Sequence, residues 1–156
     1  MSRPASLVDD LLNPALVALL AREAAAGYDS EHGAAMAWPL AFVALPMVLH
    51  GPTQKALPKT VATYLPNWAA ANPLLAAGVA PRARSLSGHI RAGARFGLRH
   101  GLLELDGSGG LLPGPARPGA PEGSLLALHR SARLVGRWFG RSAEPASVLS
   151  VLRVRP

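Results

Sequence analysis

Apolar residues recur along this chain mostly at helical spacing, and the clearest case is Leu125 to Gly140. There Leu128, Ala132, Val135 and Phe139 fall on one side, while Arg130, Arg133, Arg137 and Arg141 fall opposite within a narrow arc. That period is an α-helix with one buried face. Asn13-Pro14 opens an earlier helix: Asn caps, and Pro takes the first helical position, where its missing N–H costs nothing. Leu16, Leu19 and Leu20 share a face there, Glu23 extends the row, and Gly27 reads as the stop. Trp38 to Leu49 is apolar on every side, so it is buried. A helix is the preferred reading, kinked or ended near Leu45 by Pro46. A buried strand is the alternative for so short a run.

His50-Gly51-Pro52-Thr53 is a turn with Thr53 as a cap, followed by a short helix over Gln54–Leu57. Thr60 caps a further helix over Val61–Ala71, interrupted by Pro66. Asn72-Pro73 repeats the start signal for Leu74–Val79, and Pro81 bends or restarts the chain. Ser87 caps a helix over Gly88–His100. On one of its faces lie Leu86, Ile90, Gly93, Ala94 and Gly97. Glycine inside a helix costs about 1 kcal/mol relative to Ala, so two on one face indicate a neighbouring backbone packed closely. Arg91, Arg95 and Arg99 occupy a different face.

Leu102–Leu105 reads as a strand, Asp106–Gly110 as a turn and Leu111-Leu112 as a return strand. The expected fold is therefore mainly α with a small β-hairpin, in the helix, helix, helix, hairpin order of a winged helix–turn–helix. Residues 1–112 form the winged-helix-like domain, with the hairpin at about 102–112. Residues 113–123, rich in Pro and Gly, form a linker, and 124–156 a basic amphipathic helical segment, its last helix over Ala146–Leu152. Trp38, Phe42, Leu45, Phe96, Leu128, Val135, Trp138 and Phe139 are the candidates for core or partner interface.

Charge sharpens this picture. Residues 1–80 sum to −1 and residues 81–156, with twelve arginines and four acids, to +8. Such asymmetry points to an anionic partner for the C-terminal half. Arg91, Arg95, Arg99, Arg130, Arg133, Arg137 and Arg141 are the candidate contacts for DNA or an acidic partner, since arginine binds phosphate and reads guanine through two hydrogen bonds. The arginine stripe of residues 130–141 has no acids four residues away to neutralise it. The plain alternatives are a solvated face and the Arg/Ala/Gly/Pro bias of a GC-rich genome.

The chain has no cysteine, which excludes thiolate zinc sites, Fe–S clusters and a cysteine nucleophile. Its five histidines form no H-x-x-x-H pair, and there is no G-x-S-x-G or Walker A. No metal, cofactor, small-molecule substrate or catalysis is expected. Asp9-Asp10 and Asp29-x-Glu31 read as capping or solvated groups. Met1–Asp10 lacks an apolar signal region, so the cytoplasm is the expected compartment. Ala37–Leu49, with 13 residues, is too short to span a bilayer that needs about 20.

Several landmarks together resemble a known family. They are Asn13-Pro14, Gly27-Tyr28, the run Pro39–Leu49 closed by His50, Asn72-Pro73, Phe96-Gly97 leading to Gly101-Leu102-Leu103, Gly136–Phe139, and the ending Leu152–Pro156. In order and spacing they are similar to the middle component of three-component ABC systems. Pro66 and Pro81 depart from the uninterrupted helices expected there. The resemblance implies winged-helix-like units and a small non-enzymatic adaptor. Its partners would be an ABC/SMC-like ATPase and a third component, in bacterial conflict or antiphage modules related to the Lamassu type. It offers no catalytic residue. A stand-alone winged-helix DNA-binding regulator is the alternative.

Overall fold

A computed structural model describes residues 12–142 and 144–155. Met1–Asp10, including the Asp9-Asp10 pair, and the terminal Pro156 lie outside the described residues. Helix α1 spans Pro14–His32, with Asn13 Oδ1 accepting a hydrogen bond from the Ala15 amide at 2.8 Å, as the Asn-Pro signal predicts. It does not stop at Gly27. The left-handed stop is Gly33, at φ 75°, whose amide donates to the Asp29 carbonyl.

Strand β1 (Met36–Ala37) leads into α2 (Trp38–Leu49), which is the expected helix and runs on through Pro46. Its residues Leu40, Ala41 and Val43–Val48 are all buried, while Trp38 is exposed and Phe42 half-buried, so it is not buried on every side as the apolar run suggests. The packing of the buried residues outweighs the roughly 3 kcal/mol cost of an interior proline. Helix α3 (Gly51–Lys55) begins three residues before the predicted one, with Pro52 in its first turn; Thr53 sits inside it and is buried. Helix α4 is Leu65–Ala71. Thr60 caps nothing there. Pro66 opens this helix and does not interrupt one, because a first-turn proline loses no helical hydrogen bond.

Helix α5 runs unbroken over Pro73–Arg99, where two helices separated at Pro81 were expected. Ala76, Val79, Ala80, Ala83, Ile90, Gly93 and Gly97 form one buried stripe across the proline. Burial of that continuous stripe holds the two halves in register. Ser87 is no cap; its hydroxyl donates back to the Arg84 carbonyl. Strands β2 (Leu103–Leu105) and β3 (Gly110–Pro113) make the predicted hairpin. Asp106 Oδ1 closes the turn by accepting from the Ser108 amide, the Ser108 hydroxyl and the Gly110 amide. Those hydrogen bonds, the hydroxyl's first, hold its carboxyl below the ordinary range. β1 pairs antiparallel with β3, giving a three-stranded sheet in the order β1-β3-β2. This third strand, two residues long, has no period for a sequence to display.

Residues 114–123 are irregular, tied down by the Gly114 and Ala116 amides on the Leu102 and Gly101 carbonyls. Helix α6 (Ser124–Arg141) and α7 (Pro145–Val151) follow. One core runs from Val17 to Leu152 and takes side chains from α1, α2, α4, α5, the sheet, α6 and α7. Both buried indoles fix the irregular chain between α3 and α4: Trp68 Nε1 donates to the Ala56 carbonyl and Trp138 Nε1 to that of Thr63, at 2.8 and 2.7 Å.

Helix α1 packs along both α5 and α6. Against α6 the backbones nearly touch. A Cβ on Gly136 would run into the Ala24 carbonyl, and one on Gly27 into the Arg133 carbonyl. Gly27 is therefore a contact glycine inside the helix, which is why it ends nothing. The neighbour that Gly93 and Gly97 announce is the other side of α1, at Val17 and Ala18, with Leu103 beside Gly97.

Candidate functional site

The candidate arginines stand on two helices separated by α1. On α6, Arg130, Arg133, Arg137 and Arg141 are all exposed. Arg137 donates from Nε and Nη2 to Glu31 Oε1 at 3.1 and 2.9 Å, and Arg133 Nη1 lies 3.5 Å from Glu23 Oε2. Half of this stripe is thus neutralised after all, by acids of α1 more than 100 residues away in sequence. Such exposed pairs are worth about 0.2–1 kcal/mol each. Arg141 stands at the rim of a groove of about 690 Å³ between the 61–66 segment and α7.

On α5, Arg91, Arg95 and Arg99 are exposed. Among the described residues no carboxylate lies within ion-pair distance of them, nor of Arg130 or Arg141. Arg91 holds its guanidinium carbon 6.0 Å from the centroid of the Phe42 ring, a cation–π distance.

The aromatic and aliphatic candidates divide in two. Leu45, Val135, Trp138 and Phe139 are fully buried, with Trp138 edge-on to Trp68 at 5.5 Å. Phe42, Phe96 and Leu128 are half-buried. Trp38 is 48% exposed and edge-on to Phe42. Trp38 and Phe42 line a groove of about 250 Å³ between α2, α5 and the sheet, shared with Ala94, Leu98 and Leu105 and rimmed by Arg91 and Arg95. Leu98 and Leu105, 37% and 54% exposed, went unnoticed in the sequence. The signal was present: Leu98 follows Ala94 by four on the helix, and Leu105 follows Leu103 by two on the strand. What the sequence lacked was that α2, α5 and β2 meet.

A further arginine is used inward. Arg82 Nη2 donates to Thr53 Oγ1 at 3.3 Å and to the Leu75 carbonyl at 3.1 Å, while its buried Nε has no protein partner. His50 Nδ1 is paired with the same Thr53 hydroxyl at 2.7 Å. Burial first, and the nearby Arg82 charge second, hold the His50 imidazole below its ordinary value.

Among the described residues no cluster of His, Asp and Glu is arranged to hold a metal ion, and no helix is long and apolar enough to cross a membrane. The molecule is mainly α with a small antiparallel sheet, and its distinctive chemistry lies on helix faces. The model of the ABC-three component (ABC-3C) system Middle Component 3 family matches residues 1–156, and the chain belongs to that family. The resemblance carried by the Asn-Pro starts, the Pro39–Leu49 run and the C-terminal Gly136–Phe139 landmark is thereby borne out. No curated protein and no solved structure matches the chain.

Proposed function

We propose that this protein is a non-catalytic adaptor, joining an ABC/SMC-like ATPase to the third component of its system in the bacterial cytoplasm. The observation that carries the reading is the pair of arginine-bearing surfaces on α5 and α6, held apart by α1. A chain that joins two partners needs two faces, each able to bind without displacing the other. One face combines arginines that have no acid at pairing distance among the described residues with exposed apolar side chains, the composition of an interface centre. Antiphage defence as the setting is carried by the family resemblance alone. The test is co-expression of the three components. The adaptor should co-purify with each of the other two separately and bridge them when all are present. It should show no nucleotide or nucleic-acid hydrolysis alone. Turnover abolished by one point mutation in this chain would overturn the reading.

A second reading is a winged-helix protein that contacts DNA, inside the complex or as a regulator of its own. The order helix, strand, helices, hairpin, with β1 beside β3, supports it, and so do Arg91, Arg95 and Arg99 on the helix that precedes the hairpin. Phosphate contacts release counterions, so the logarithm of affinity should fall against log salt by about 0.9 for each phosphate neutralised. Gln at the three positions should lower that slope and weaken all DNA sequences alike; selective loss of one sequence would favour the regulator. The winged-helix form also serves protein binding, so fold alone does not choose.

A further inference from the structure

We infer that the groove between α2, α5 and β2 is the seat of an acidic amphipathic helix from another component of the system. This rests on the adaptor reading and deepens it. Of the large apolar side chains left exposed among the described residues, Trp38, Leu98 and Leu105 converge here, and half-buried Phe42 and Ala94 line the groove with the buried Ala41 and Ile90. Exposed apolar side chains gathered in one concave place mark a binding groove more than singly scattered ones do.

The rim determines the occupant's charge. Arg91 and Arg95 line it, and Arg99 continues their row along α5 at the same interval of four residues, about one helical turn each. None has a carboxylate within ion-pair distance among the described residues. On α6 acids of α1 answer two of the stripe's arginines; on α5, among the described residues, no acid answers any of these three. Stacking over Phe42 keeps the Arg91 guanidinium at the mouth of the groove. A second helix laid along α5 would set Glu or Asp residues, four apart, opposite this rail, and its apolar residues onto Trp38, Leu98 and Leu105. That is helix-in-groove recognition, read at i, i+3, i+4 and i+7. The free edge of β2 is only three residues long, which leaves little backbone for an added strand. A DNA backbone would use the arginines but would gain nothing from the tryptophan and leucines, so a protein helix accounts for more of the surface.

The test uses the full chain co-expressed with the other components of its system, carrying a photo-crosslinking amino acid at position 98. Position 74 is the control: Leu74 is also exposed, on the same helix, about 36 Å away along the axis. Position 98 should crosslink to an acidic helical segment of another component, and position 74 should not. Leu98→Glu, and separately Arg91→Glu with Arg95→Glu, should each weaken that association by about tenfold or more, with the melting temperature kept. The inference is overturned if position 98 crosslinks to nucleic acid, to a second copy of this chain, to a segment without acids, or to nothing. It is also overturned if both variants assemble like the parent chain. A parent chain that co-purifies with no component overturns the adaptor reading itself, and this inference with it; normal co-purification with unaffected variants overturns the groove alone.

Discussion

Helices α5 and α6 both carry arginines three or four residues apart along one face, yet the fold treats them differently. On α6, Glu23 and Glu31 of α1 reach Arg133 and Arg137, so part of the charge binds the molecule to itself. On α5, Arg91 and Arg95 flank an apolar groove and Arg99 continues their row, with no acid at pairing distance of the three among the described residues. Helical spacing therefore says which face an arginine occupies and nothing about its partner. The partner depends on which element lies alongside, and α1 brings its acids to only one of the two.

The contrast can be broken at its base by loosening the core beneath α6. Phe139→Ala, in the packed core, should cost about 3–5 kcal/mol in chemical denaturation; Phe42→Ala, half-buried beneath Arg91, should cost distinctly less. Equal losses would mean that the α5 side is as much core as the α6 side. Gly136→Ala comes next. Its methyl would meet the Ala24 backbone, which cannot rotate aside, so about 1–3 kcal/mol should be lost. Gly88→Ala on α5, where nothing lies within 4 Å, should instead gain roughly 0.5–1 kcal/mol.

Smaller again are the arginines. Arg137→Gln should cost about 0.2–1 kcal/mol, with a coupling to Glu31→Gln in a double-mutant cycle that fades in high salt. Arg95→Gln should move stability by no more than about 0.5 kcal/mol, leaving its effect to partner binding. A cycle without coupling at Arg137 would make the two faces alike. Least of all is a pH effect. The His50 imidazole titrates below its ordinary 6.5 in the fold, so the unfolded chain binds more protons in the interval just under that value. Stability should therefore fall as pH drops through 6.5, and the fall should shrink in His50→Gln and lessen in Arg82→Met.

Much of the fold could be read in advance, for stated reasons. The Asn13-Pro14 cap, the all-apolar Trp38–Leu49 helix and the Asp106–Gly110 turn depend on local chemistry, and each formed where that chemistry points. Errors arose where a distant element decided. Gly27 reads as a stop until α6 lies on it, and Pro81 reads as a break until a buried stripe spans it. At the candidate surfaces the arginine positions were visible, because a helical face is a local property. Their pairing with Glu23 and Glu31 was not, and neither was the meeting of Trp38, Leu98 and Leu105, since both require the tertiary arrangement.

The glycine-mediated contact between α1 and α6 also has a consequence in time. Gly27 and Gly136 are 109 positions apart, and the α1–α6 packing is the most extensive between any two elements. Closing so long a loop must precede the energetic return, a feature that slows folding even in helical proteins. On the ribosome, at about 5–20 residues per second, α1 would wait roughly 5–20 s for α6 to be made. Through that interval the side of α1 at Ala24 and Gly27, where α6 packs, has no helix to cover it. A nascent chain arrested before residue 124 should bind a chaperone or a hydrophobic dye where the full-length chain does not.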